Sequence, residues 1–318
     1  MTTNAEQLFQ LKAVDVAARH VQPSSSRGNP LSVQSVQTAH RFDILYSWLT
    51  GADPSSSAPV AEDAKYDLLA GSVMDLGCGQ GDQTGALAAV HAANPDLYTK
   101  NGRPASIVGV DPAPPDYGAP YTLQQAQDVL SQAYPNLSFV LGKTAQEVLA
   151  TLTVDTVMLS HSMWYFPSAH VLKETFIAIR EAGVKHLLLA EWALSISHPD
   201  ALPHLLAVLL QGQSPVQGGN VQLVLSPMQI KALAREAGWK VDREVTFAPA
   251  EKLQDGGWEV DIARDAAQEA AKMDCEGYAT KQKLQQSVET TKNAMEEAVV
   301  RIGRVRCMDV WTALLSPI

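Results

Sequence analysis

Between Val73 and Thr84 the chain reads VMDLGCGQGDQT. Gly77, Gly79 and Gly81 alternate, Asp75 and Asp82 frame them, and an apolar run leads in. Glycines this dense let a ligand approach the backbone. A dinucleotide fingerprint would read G-x-G-x-x-G, but here the place of its last glycine is taken by Asp82. Two carboxylates around the turn repel a phosphate and attract a ligand carrying an ammonium or sulfonium. No Gly-Lys-Ser/Thr follows, so a Walker loop is excluded.

Three more strand ends carry groups able to do chemistry. SIVGVDPAPPDYG ends its apolar run on Asp111, a position from which a carboxylate accepts both hydroxyls of a ribose. The loop NPDLYTKNGRPAS accounts for the long spacing between the two motifs. DTVMLSHSMWYF brings Ser160 and His161 to the end of another apolar run. His161 is either a general base or a residue that packs or orients a cofactor. His40 and His198 are further candidates. HLLLAEW presents Glu191, which is a base, an anchor for a substrate amine, or a buried partner for the cover. Trp164 and Trp192 follow polar strand ends and are read as a substrate wall, since indole faces suit a flat or cationic acceptor.

The elements that must position these groups are short apolar runs alternating with helical stretches from Ser72 onward. That alternation predicts an α/β fold, a mostly parallel sheet wrapped by helices. Seven strands are expected, at SVMDL, SIVGVD, LSFVLG, DTVMLSH, HLLLAEW, KVDREVTFA and VRCMDVWTALL. Upstream, two serine-rich loops, QPSSSRGNP and GADPSSSAPV, bracket a predicted helix TAHRFDILYSWLT that carries Arg41 and Tyr46. Residues 1–70 are therefore expected to form a helical cap, and 71–318 the core with two insertions. The first insertion, about 199–224, holds the apolar LPHLLAVLLQG; its face is expected to help close a lid, with a dimer contact as the alternative. The second, about 251–303, is rich in Ala, Glu, Lys and Gln, and helical by composition.

The 318 residues, 46% of them hydrophobic, allow one elaborated domain or two modest ones. A net charge of −10 without a basic stripe disfavours nucleic acid as a partner. No apolar run is long enough to span a membrane, and MTTNAEQLFQLKAVDVAARH lacks a signal peptide's apolar stretch. Cys78, Cys275 and Cys307 have spacings that suit neither a disulfide framework nor a metal site. The expectation is a soluble protein of a reducing compartment, cytoplasmic, and a monomer or homodimer.

Taken together, VMDLGCGQGD and VGVDPA resemble the first two motifs of class I S-adenosylmethionine (SAM) dependent methyltransferases. LSFVLGKTAQEV, DTVMLSHSMWYF and LSPMQIKALAREAGW are similar to later segments of that family. HRFDILYSWL, DPAPPDYGAPYTL and RCMDVW look like a group of fungal small-molecule methyltransferases. The resemblance implies a Rossmann-like seven-stranded sheet and SAM as cofactor. It puts Gly77, Cys78, Gly79 and Gln80 around the methionine part, Asp75 near its ammonium, and Asp111 with Pro112 at the ribose. Ser160 would face the methionine, and Arg41 and Tyr46 belong to a helix that in the family often folds over SAM. Arg41 is there a partner of the cofactor carboxylate or a solvated helix residue. Where many members have an acidic residue after the third strand, this chain has GKTAQ, which leaves the adenine amino group to Thr144, Gln146 or backbone. The implied reaction is methyl transfer to an oxygen or nitrogen of a small, secondary-type metabolite, with His161 as base and no metal. The rivals are a rearrangement catalysed with bound SAM, and a SAM-binding regulatory subunit that does no chemistry.

Overall fold

The computed structural model describes residues 2–56, 64–214, 216, 219–266 and 278–318. Cys275, part of the second serine-rich loop and the centre of the second insertion lie outside the described residues. Seven strands form one sheet: β1 (Ser72–Leu76), β2 (Ser106–Asp111), β3 (Leu137–Leu141), β4 (Thr156–Ser160), β5 (His186–Trp192), β6 (Trp239–Phe247) and β7 (Val310–Pro317). Their order is β3-β2-β1-β4-β5-β7-β6. β1 to β5 are parallel, and β7 runs antiparallel between β5 and β6.

The central strands are continuous apolar runs because helices cover both of their faces. One core packs Val73, Ile107, Met158 and Leu188 against the helix Val33–Thr50; the other packs Met74, Val108, Val157 and Leu187 against the helix Ala169–Glu181. The edge strand β6 alternates instead, and Lys240, Asp242 and Glu244 charge its open side, which discourages pairing with another chain. β7 starts five residues later than the apolar pattern suggests. Residues 306–309 run along the segment after β5, where Arg306 N–H donates to Asp200 O and Met308 N–H to His204 Nδ1. The Asp309 carboxylate accepts from Ser195 Oγ, Ser197 Oγ and Ser197 N–H, tying that segment down.

Strand order reverses between β1 and β4. The chain leaves β1 towards β2 and β3, then returns to the other side of β1 with β4. In open α/β sheets a ligand crevice forms at the carboxyl ends of strands at that reversal. Above it lie the long N-terminal helix and the two insertions.

The insertions pack on each other. The helix Leu202–Gln213 meets Asp255–Ala263 and Tyr278–Arg301 around a separate small core of Ala207, Leu210, Val260, Ala263, Val288 and Met295. The apolar face of LPHLLAVLLQG thus finds its partner within the chain, while Leu202 and Leu209 remain exposed. Because this core is separate from the sheet's, it can be weakened independently. Leu210→Ala removes a fully buried side chain there and is expected to cost about 2–5 kcal/mol. Chemical denaturation checks the value, and a change under about 1 kcal/mol would mean that the three helices do not pack as a unit.

Candidate active site

The glycine turn is shaped by three left-handed residues, Gly77 (φ 74°), Gly79 (φ 53°) and Gly81 (φ 92°). Two of them differ in what surrounds them. A Cβ on Gly77 would lie 2.6 Å from Cβ of Ser162, so the end of β1 abuts the loop after β4. A Cβ on Gly79 would meet nothing within 4 Å. Gly77 is therefore required by packing, whereas Gly79 opens on space.

Asp111 closes the turn. Its carboxylate accepts from Gly79 N–H and from Ala113 N–H, each at 2.9 Å, so its orientation is set by backbone on both sides. Gln127, on the helix Leu123–Ala133, donates to Gly79 O at 2.7 Å and lies 3.8 Å from Cys78 Sγ. Gln80 donates to Tyr121 O. Asp75 is buried inside β1 and accepts from Thr84 Oγ1 at 2.6 Å. Burial raises its carboxyl to about 6, against the pull of the Thr84 hydrogen bond and the Arg41 charge. Gln127 escapes a motif search, although a glutamine beside Leu123, Ala126 and Leu130 on the apolar face of an amphipathic helix is a visible signal.

On the other side of the reversal, Ser160 Oγ donates to Gln83 Oε1 at 3.0 Å, and Arg41 Nη1 reaches Ser160 Oγ at 3.4 Å. Arg41 Nε and Gln83 Nε2 are buried donors with no acceptor. Buried donors left unmatched are costly, so this pair marks a place suited to an acceptor such as a carboxylate. Gln83, inside the helix that follows the glycines, has no sequence signal beyond its position.

Beyond Ser160 the backbone of His161 takes φ 52°, an uncommon conformation for a residue with a side chain. Its Nδ1 lies 3.4 Å from Glu191 Oε1, and its Nε2 lies 2.9 Å from Nε2 of His40. Glu191 is buried and held by backbone: Met163 N–H and Trp164 N–H donate to Oε2, and Trp192 N–H donates to Oε1. Burial raises its carboxyl to about 7, opposed by those three N–H groups and by Arg41. Burial holds both imidazoles well below their usual range, so both are neutral at neutral pH. Trp192 borders all of this, with its ring centroid 4.3 Å from that of His161 and 6.1 Å from that of His40. His204, from the first insertion, stands edge-on to Trp192 at 4.8 Å, and Gln37 donates to Asp255 of the second insertion at 2.6 Å. Cap helix and both insertions thus meet beside the histidines.

The structure brings together Asp75, Gly77, Cys78, Gly79, Gln80 and Asp111, with Pro112 next along the chain, on one side. On the other it gathers Arg41, Ser160, His161, Glu191 and Trp192. Three expected residues have other attachments. Tyr46 lies five positions, about 140° of helix, from Arg41 and is buried in the core, with Thr50 and Asp53 around its ring hydroxyl. Trp164 is buried as well; its indole N–H donates to Leu225 O, and its carbonyl accepts from Gln222 and Leu223. Thr144 is exposed and caps the helix Ala145–Leu149 in a reciprocal box with Glu147. His198 caps the short turn Pro199–Ala201. Of the weaker sequence candidates, His40 is the one that joins the site.

No family model matches the sequence. The chain is similar to two fungal proteins of Diaporthe leptostromiformis named methyltransferase phomM' and methyltransferase phomM. Each is 28% identical over 329 aligned positions, covering 90% of this chain and 84% of the relative. Among solved structures it resembles a cyclopropane-fatty-acyl-phospholipid synthase-like protein from Lactobacillus casei. There the TM-score is 0.71 and the identity 21%, covering 98% of this chain and 99% of that one, a likeness of fold. The sheet with its reversed last strand has the fold of that solved structure, and over most of its length the chain is similar to the two fungal methyltransferases.

Proposed function

We propose that the protein transfers a methyl group from SAM to an oxygen or nitrogen of a small molecule. One observation carries the reading. At the strand reversal a glycine turn with open space at Gly79 faces a buried base group, His161 with Glu191, and nearby donors without acceptors. Those features fit SAM. Arg41 and Gln83 would hold its carboxylate, Asp75 would sit near its ammonium, and Asp111, already oriented by two N–H groups, would take the ribose hydroxyls. Pro112 continues the ribose wall, Cys78 and Gln80 line the turn, and Thr144, Gln146 or backbone is left for adenine. When bound, SAM supplies a methyl group activated by its sulfonium. What this chain's own residues do is align the acceptor, exclude water and remove the acceptor's proton.

Trp192 serves as the acceptor wall in this reading. Trp164 acts behind it, by holding residues 222–225 and by donating its backbone N–H to Glu191. The cap helix and the two insertions close over the acceptor, joined by Gln37 to Asp255 and by His204 against Trp192. A net charge of −10 without a basic stripe favours a small acceptor over a nucleic acid. Among the described residues no helix is long and apolar enough to cross a membrane.

Incubating the protein with SAM and a metabolite library tests the reaction. Formation of S-adenosylhomocysteine together with a product heavier by one methylene supports it; binding of SAM without either leaves a regulatory subunit. Cofactor placement has its own test. Asp111→Ala is expected to weaken SAM binding by roughly ten- to a hundred-fold, the cost of about 1.5–3 kcal/mol for a lost charged acceptor. Gly79→Val puts a β-branched side chain into the open space at a left-handed position (φ 53°), so it is expected to strain the turn and to lose SAM binding, with circular dichroism checking that the fold is kept. Calorimetry giving wild-type affinity for both variants would remove the site.

The pH profile follows from Glu191. Its carboxyl titrates near 7 because it is buried, and only the ionised form can receive a proton. The groups facing it are His161, whose imidazole is neutral, Arg41, the three N–H donors, and Tyr165 and Glu259, whose ionised forms its negative charge opposes. Turnover is therefore expected to rise as pH rises through about 7, and to lose that limb in Glu191→Gln. A flat profile between about pH 6 and 8 in the wild type would contradict the role. Finally, hydrogen exchange with S-adenosylhomocysteine is expected to raise protection in residues 41–48 and in at least one insertion. Protection confined to the glycine turn and Asp111 would rule out the lid.

A further inference from the structure

Three contacts around His161 determine where its proton sits. Both oxygens of Glu191 accept backbone N–H groups, as an ionised carboxylate does. A carboxylate only accepts, so the proton between it and His161 belongs to Nδ1 of the imidazole. In the neutral ring Nε2 is then bare. It faces Nε2 of His40 at 2.9 Å, and two nitrogens at that distance share one proton, which must be carried by His40. His40 in turn is left with a bare Nδ1, which is buried and meets no donor. The chain Glu191–His161–His40 therefore ends in an acceptor without a partner.

We propose that Nδ1 of His40, and not His161, takes the proton of the methyl acceptor, and that His161 relays it to Glu191. This rests on the reading that the acceptor is an O–H or N–H group. The balance is simple. The acceptor's O–H or N–H bond breaks, and its electron pair stays on the acceptor atom, where it would form the new bond to the methyl carbon as that carbon's bond to the sulfonium sulfur breaks and leaves its pair on sulfur. The proton binds His40 Nδ1. The Nε2 proton of His40 moves to Nε2 of His161, and the Nδ1 proton of His161 moves to Glu191 Oε1. At the end both rings are neutral in their other tautomer, and Glu191 is a neutral acid. No imidazolium has to persist in a site where burial and the Arg41 charge both oppose it. His161's left-handed backbone has a use here, since it turns the ring between two elements 121 and 30 residues away in sequence.

The side-chain amide at Glu191→Gln makes a sharp test. Two N–H groups point at the Oε2 position and one at Oε1, so the amide oxygen is expected to take the Oε2 place and the NH₂ to face His161. A donor there forces His161 to carry its proton on Nε2, and His40 to carry its own on Nδ1. Nitrogen–proton correlation NMR of the full chain, without ligand and at about pH 8, reads the tautomers directly. Expected are Nδ1–H for His161 and Nε2–H for His40 in the wild type, with both reversed in Glu191→Gln. A wild-type His40 carrying its proton on Nδ1 would overturn the proposal, whatever the variants do. His40→Gln adds a kinetic arm. Its amide can still donate to His161 but offers nothing in place of Nδ1, so turnover is expected to fall by about 10²–10⁴ with SAM affinity unchanged. Wild-type turnover in His40→Gln would also overturn it. Because the tautomers are read in the ligand-free protein, a failed relay and a failed methyltransferase reading appear in different measurements.

Discussion

The site depends on one buried carboxylate. Glu191 ends β5 inside the protein, where an ion without partners would cost several kcal/mol, and it is kept by three backbone N–H groups. Two of those come from the turn after β4, so the same contacts that satisfy the charge pin the ends of two adjacent strands together. That turn also carries Ser162, against which Gly77 packs, and His161, which reaches His40. Moving Glu191 would therefore shift the glycine turn and the cap helix as well as the imidazoles. The same burial raises its carboxyl to about 7, so the group that organises the loops can exchange a proton near neutral pH.

Two kinds of polar group surround the crevice, and they divide the work. Asp111, Gln127 and Gln80 hold the glycine turn from outside with their hydrogen bonds already made. Arg41 Nε, Gln83 Nε2 and His40 Nδ1 are buried with theirs unmade. The first set fixes shape without a ligand. The second is a store of unmet donors and acceptors that a bound molecule can satisfy, which is how a preformed site gains both affinity and orientation.

The cover adds a separate layer. Its three helices share a small core of their own, and Asp255, His204 and Glu259 reach the site from it. The helix Leu202–Gln213 also sends Val208 into the core of the sheet, so the cover is anchored to the fold as well as to itself.

Much of this was legible in local sequence. Alternating apolar and helical runs specified seven strands, and the glycines with Asp75 and Asp111 marked strand ends that the structure brings together, because strand period and turn chemistry are local properties. Residues whose roles depend on distant partners were not legible. Arg41 and Tyr46 look equivalent on one helix, yet only the folded chain turns the first towards Ser160 and buries the second. Trp164 and Trp192 both follow strand ends, and what separates them is whether a backbone carbonyl or a pair of histidines lies opposite. His40 stands 121 residues from His161 and has no motif of its own. A proton path exists only where side chains meet at about 3 Å, and that meeting is decided by packing across the sheet's reversal, which no spacing along the chain encodes.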